Sequence, residues 1–211
     1  MRRRQRLSLE FAGCFFLYPV LLMPFSIKGV YVWLWIACLV CVWWLHKHAR
    51  WNNVKDWKPN TFREELPRIF YRFIPLAIAM LAFTWVYAPL RLFEFPLNNF
   101  WGWVGVMIMY PIISVFPQEV LFRSFLHRRY RMLFQSRHEI VLASAITFGW
   151  AHIVMHNWIA VVFSFLGGLI FASTYERTRS LSVVCFEHTL YGCWVFTIGL
   201  GWYFFHGYNG G

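Results

Sequence analysis

The sequence predicts an all-α fold: a polytopic bundle of about seven membrane helices. Three observations predict it. Hydrophobic residues fill 59% of the 211 positions and charged residues only 14%, whereas a soluble domain carries about 25% charged residues. The apolar residues collect in runs close to the ~20 needed to span a bilayer. The basic residues collect on alternate connections between those runs.

The runs cover residues 11–27, 30–45, 70–90, 103–126, 140–155, 158–175 and 181–205. Pro19, Pro24, Pro75 and Pro111 fall inside them, which membrane helices tolerate through kinks and neighbouring partners. The connection between residues 46 and 68 is rich in charge and Trp and is expected to include an amphipathic interfacial piece. An eighth span or a re-entrant segment near 93–116 would change the side of the C-terminus. A chain of this length forms one integral membrane domain, residues 1–211, with a motif-bearing core at 103–205 and no room for a second sizeable soluble domain.

Counting Arg72 and Arg123, just inside their runs, with the neighbouring connections, alternate connections carry four, seven, five and two Lys or Arg residues, eighteen in all, and the opposite side carries two. Positive residues stay on the cytoplasmic side, so the N-terminus is expected to be cytoplasmic, with the protein in the plasma (inner) membrane. The net charge of +11 then belongs to loops facing anionic lipid headgroups rather than to nucleic acid. The basic start, Arg2-Arg3-Arg4-Gln5-Arg6, precedes an apolar run without a small-residue cleavage site, and reads as an uncleaved first span. Cys38 and Cys41 form a CxxC inside an apolar run and read as small helix residues.

Within the spans, three polar groups could carry chemistry. The first is Gln118-Glu119 with Arg123, where the four-residue spacing puts Glu119 and Arg123 on one helix face. The second is His152, in Phe148-Gly149-Trp150-Ala151-His152, with His156 and Asn157 just beyond. The third is Glu187-His188. Glu119 and His188 each stand nine residues from a basic edge, ~13 Å at helical rise, and His152 stands ~22 Å from its own. A carboxylate and two imidazoles from three helices could converge on one pocket. A desolvated carboxylate can take a proton from water, and histidines can position that water or stabilise an oxyanion. The plainer reading is an ion pair that staples a helix and a hydrogen-bonded core histidine.

Other intramembrane chemistries lack their residues. Asp56 is the one aspartate and lies in a loop, no HExxH occurs, no serine stands in a Gly-x-Ser setting, and there is no phosphate-cradling glycine loop. Gly167-Gly168 is expected to allow close helix packing. Two histidines and a carboxylate could bind zinc, but their spacing is not diagnostic.

In order and spacing these residues resemble the CAAX-protease and bacteriocin-processing (CPBP, or Abi) family of intramembrane proteases. Its members carry Glu-Glu-x-x-x-Arg, Phe-x-x-x-His and His-x-x-x-Asn on successive helices. Here the motifs read Gln118-Glu119-x-x-x-Arg123, Phe148-x-x-x-His152 and His188-x-x-x-Gly192. The resemblance covers about half the chain. It implies a multi-helix membrane fold with the site open toward the cytoplasm, no metal, and a glutamate-activated water that cleaves a peptide bond of a membrane-bound peptide or protein. Two residues depart from the pattern. Gln118 replaces the glutamate taken as the base, and Gly192 removes a donor to the oxyanion. On this resemblance Glu119 is the base, Arg123 orients it, and Asn157 or Gln118 could replace the lost donor. A non-catalytic membrane scaffold or immunity protein that keeps the pocket is the alternative.

Overall fold

The computed structural model describes residues 3–49, 57–58 and 61–205, and it is helical throughout. Seven principal helices occur among the described residues. Helix α1 covers residues 3–22, with a π-helical stretch at Gly13–Leu17. It is followed by α2 (Ile27–Ala49) and α3 (Phe62–Tyr87). Next come α4 (Phe100–Arg129) and α5 (Arg137–Met155), which closes on a 3-10 turn. The last two are α6 (Trp158–Thr178) and α7 (Leu181–Thr197). Short helices link α3 to α4 and follow α7.

Helices α2 to α6 are long and apolar enough to cross a membrane. Helix α1 opens on the charged stretch Arg3-Arg4-Gln5-Arg6 and α7 is only 17 residues long, so among the described residues length and composition mark five candidate spans against the seven expected. Of the expected amphipathic connection at 46–68, residues 50–56 and 59–60 lie outside the described residues. Apolar runs overestimated helix length where backbone chemistry ends a helix. The third run stops at Tyr87 before Pro89, whose ring cannot continue the hydrogen-bond ladder. The last stops at Thr197 before Gly199, whose φ of +94° suits only glycine.

Helix α2 shows how a membrane bundle inverts the soluble pattern. Cys38, Cys41 and Leu45, spaced three and four apart, are buried against the bundle, while Val32, Ile36, Leu39, Val40 and Trp43 are exposed. Apolar groups on the outer face fit lipid, and packing rather than hydrophobicity selects the inner face. Both cysteines are free thiols. Between α5 and α6 small residues set the approach. A Cβ on Gly168 would lie 3.0 Å from Ala145 Cα, and one on Gly149 would lie 2.8 Å from Phe165 Cβ. The expected packing role of Gly168 holds; Gly167 instead borders a cavity.

Helix α4 is the central element, and its second half is the most buried. Two prolines interrupt it, Pro111 and Pro117, and two π-helical stretches occur, Pro111–Val115 and Val120–Phe125. Proline removes an amide donor and crowds the preceding turn, and a wider turn is one way for a helix to continue past it. Glu119 ends the α-helical turn between the two stretches and Arg123 lies in the second. Residues that start helices are fixed locally. Ser136 Oγ accepts from Glu139 N at 3.1 Å while the Glu139 carboxylate accepts from Gln135 N at 2.8 Å, a reciprocal capping arrangement. Asn157 and Ser180 cap α6 and α7.

Candidate active site

Helices α4 and α7 meet through a buried carboxylate and an imidazole. His188 Nδ1 donates to Glu119 Oε1 at 2.7 Å. Arg123 Nε lies 3.1 Å from Glu119 Oε2, close enough for an ion pair although its N–H is not aligned as a hydrogen bond. The side chains of Glu119 and Arg123 are wholly buried. Such a charge pair costs several kcal/mol per ion to desolvate unless its remaining donors are satisfied. Ser144 from α5 helps: Arg123 Nη1 donates to Ser144 Oγ at 3.0 Å, and that hydroxyl donates to Phe122 O at 2.8 Å. The guanidinium also faces the Phe148 ring, 4.9 Å from its centroid, a favourable cation–π contact.

The His188 ring is held by two aromatic rings and at both nitrogens. Phe171 from α6 stacks on it with centroids 4.5 Å apart and planes 18° apart, and Phe148 meets it edge-on at 5.5 Å. A carboxylate can only accept, so the Nδ1 proton points to Glu119 and Nε2 keeps its lone pair. That lone pair accepts from the Tyr110 hydroxyl at 3.1 Å. A carboxylate on one imidazole nitrogen fixes the tautomer and the orientation of the ring.

His152 ends α5. Its Nδ1 donates to Phe148 O at 2.8 Å, leaving Nε2 as the acceptor. Phe148 touches both imidazoles, its centroid 4.9 Å from the His152 ring. The two histidines border one cavity of about 250 Å³. Its wall is mostly apolar and draws on all seven helices, with Tyr110, Ser114, Gln118 and Ser164 among its polar members. Glu119 is not part of that wall. The structure therefore joins Glu119, Arg123 and His188 directly, and reaches His152 across the cavity and through Phe148.

The remaining sequence candidates take other positions. Gln118 borders the cavity; its Nε2 donates to Ser114 Oγ at 2.7 Å, and its Oε1 is buried without a partner. Asn157 is committed elsewhere. Its Oδ1 caps Ala160 N at 2.8 Å, and its Nδ2 donates to Met155 O at 3.0 Å and to Tyr203 O at 2.6 Å. Gly192 borders the cavity, and a Cβ there would overlap the Tyr110 ring. Glu187 points away from His188, as its neighbouring position on α7 requires, and pairs with Arg72 of α3 at 2.8 Å. Tyr110 and Ser144 were not singled out from sequence. A tyrosine eight residues before a motif carries no signal until the helices are packed, although a glycine in the asparagine position does announce vacant volume.

Among the described residues no group of three His, Cys, Asp or Glu side chains is arranged to hold a metal ion. The carboxylate of Glu119 already faces an N–H donor on one oxygen and a guanidinium on the other, a poor start for a zinc ligand.

Fold and site together define a helical membrane protein that buries a glutamate–histidine pair beside an apolar cavity. Residues 99–194, just under half of the chain, match the family described as type II CAAX prenyl endopeptidase Rce1-like. The match supports membership of the CAAX-protease (CPBP) family, as the order of the three motifs implied, and it contains Glu119, His152, His188 and Gly192. The match likewise supports a CAAX-type intramembrane protease fold. No curated protein and no solved structure matches the chain.

Proposed function

We propose that this protein is an intramembrane endopeptidase that hydrolyses a peptide bond in a membrane-associated peptide, prenylated or leader-like. The observation that carries this reading is the 2.7 Å contact of His188 Nδ1 with the buried Glu119 carboxylate. It leaves the second imidazole nitrogen with its lone pair directed away from the carboxylate, next to a cavity that His188 borders. Glu119 works through His188 rather than by touching water itself. His188 Nε2 takes a proton from water, and the carboxylate, paired with Arg123, stabilises the imidazolium that forms. His152, across the cavity, positions the scissile carbonyl or the water. The reaction needs no metal in this scheme. The apolar wall suits the lipid-like part of a substrate that enters from the bilayer. On the distribution of basic residues the N-terminus is cytoplasmic and the membrane is the plasma (inner) membrane.

The test is cleavage by purified protein in liposomes of a quenched, farnesylated peptide ending in a C-a-a-X sequence, together with mass spectrometry of membrane peptides from cells with and without the protein. New fragments that depend on Glu119 and His188 are expected. Identical peptide profiles and an intact reporter would sink the assignment. One observation favours the second reading, a non-catalytic scaffold or binding protein: Glu119 is wholly buried and absent from the cavity wall. That reading expects the pocket to retain a membrane peptide without cutting it.

A further inference from the structure

The third motif of this chain lacks the side chain that would steady an oxyanion, since Gly192 stands where the family pattern has asparagine. Neither substitute suggested by the sequence is suited to the task. The Asn157 amide is engaged by two backbone carbonyls, and the Gln118 amide donates to Ser114. Tyr110 is placed otherwise. Its ring enters the volume that any side chain at position 192 would need, so the glycine and the tyrosine are sterically coupled. Its ring also packs edge-on against Phe196, centroids 5.3 Å apart, which fixes its direction. The residue borders the cavity, and its hydroxyl reaches His188 Nε2 at 3.1 Å.

We propose that the Tyr110 hydroxyl donates the hydrogen bond that stabilises the oxyanion during peptide hydrolysis, taking over the task of the side chain absent at Gly192. This rests on the peptidase reading above. In the resting site the hydroxyl donates to His188 Nε2. When water occupies that nitrogen, the hydroxyl is released toward the cavity. The water proton passes to Nε2 as its oxygen bonds to the carbonyl carbon, and the carbonyl π electrons move onto oxygen, where the Tyr110 O–H stabilises the charge. Collapse re-forms the carbonyl and breaks the C–N bond, and the imidazolium returns its proton to the departing amine. Tyr110 keeps its own proton throughout, and only water is consumed.

The experiment compares kcat and KM of wild type, Tyr110→Phe and the double variant Tyr110→Leu/Gly192→Asn on the farnesylated reporter in liposomes. Tyr110→Phe keeps the ring against Gly192 and Phe196, so an unchanged melting temperature is expected. Loss of one oxyanion donor lowers kcat by ~10²–10³-fold, and KM should stay within about twofold because the lost interaction forms only in the transition state. The double variant, which exchanges the tyrosine for the asparagine of the family pattern, should turn over faster than Tyr110→Phe. Wild-type kcat in Tyr110→Phe overturns the proposal and leaves the peptidase reading standing. A double variant no faster than Tyr110→Phe overturns the exchange of donors. Absence of cleavage by wild type overturns both.

Discussion

Glu119 Oε1 and His188 Nδ1 lie 2.7 Å apart although 69 residues separate them in the chain. The contact joins α4 to α7 and gives the imidazole a fixed tautomer. Arg123 completes it from the same helix as Glu119, one turn on. Activity and stability therefore share one carboxylate, and they can be separated by mutation.

Glu119→Gln is expected to abolish cleavage of the reporter and to lower the melting temperature, because Arg123 then carries a buried charge without its counter-ion. Breaking one side of a buried pair costs ~3–5 kcal/mol. Glu119→Gln/Arg123→Met removes both charges and should recover most of the stability while remaining inactive. Thermal melts in detergent, run beside the turnover assay, check this. Activity in either variant would contradict the role assigned to Glu119.

His152→Ala should keep the Glu119–His188–Arg123 cluster, which it does not touch directly, and should lower kcat by ~10²-fold as a positioning group is lost. A turnover number equal to wild type would reduce His152 to a core histidine that caps α5 through Phe148 O.

Acid should loosen α1 from α4. Arg129 Nε and Nη2 donate to the Glu10 carboxylate at 2.8 and 2.7 Å, and the Tyr130 hydroxyl donates at 2.9 Å. The hydrogen bond from Arg129 leads the causes that hold the Glu10 carboxyl below its ordinary 4.5, and partial burial opposes it. A depressed folded pKa contributes stability that is fully present above pH 4.5 and is lost as pH falls through the lower folded value. Glu10→Gln should flatten that part of the stability curve. Melting temperatures from pH 7 down to pH 3, compared for the two proteins, test it; parallel curves would dismiss the link.

Gly168→Val should separate α5 from α6. A Cβ there already approaches Ala145 Cα to 3.0 Å, so further carbons require backbone movement. Overpacking of this kind costs ~1–3 kcal/mol. Because Phe148 and Phe171 flank His188 from these two helices, turnover should drop with the melting temperature. A variant as stable as wild type would mean that the helices can slide apart freely.

Sequence alone settled the helical membrane class, because the energy of exposing backbone and charge to hydrocarbon depends on composition and run length, both local properties. It also isolated Glu119, Arg123, His152 and His188, since ionisable groups in apolar runs are conspicuous wherever they pack. Helix ends were less legible. Pro89 and Gly199 act on single backbone positions that a run of apolar residues does not register. Packing alone decided which candidates meet. It buried Glu119 behind His188 instead of at the cavity, turned Asn157 into a helix cap, and seated Tyr110 in the volume left by Gly192. These outcomes depend on how helices rotate and approach one another, and a hydrogen bond between residues 69 or 78 positions apart leaves no periodic trace in the chain.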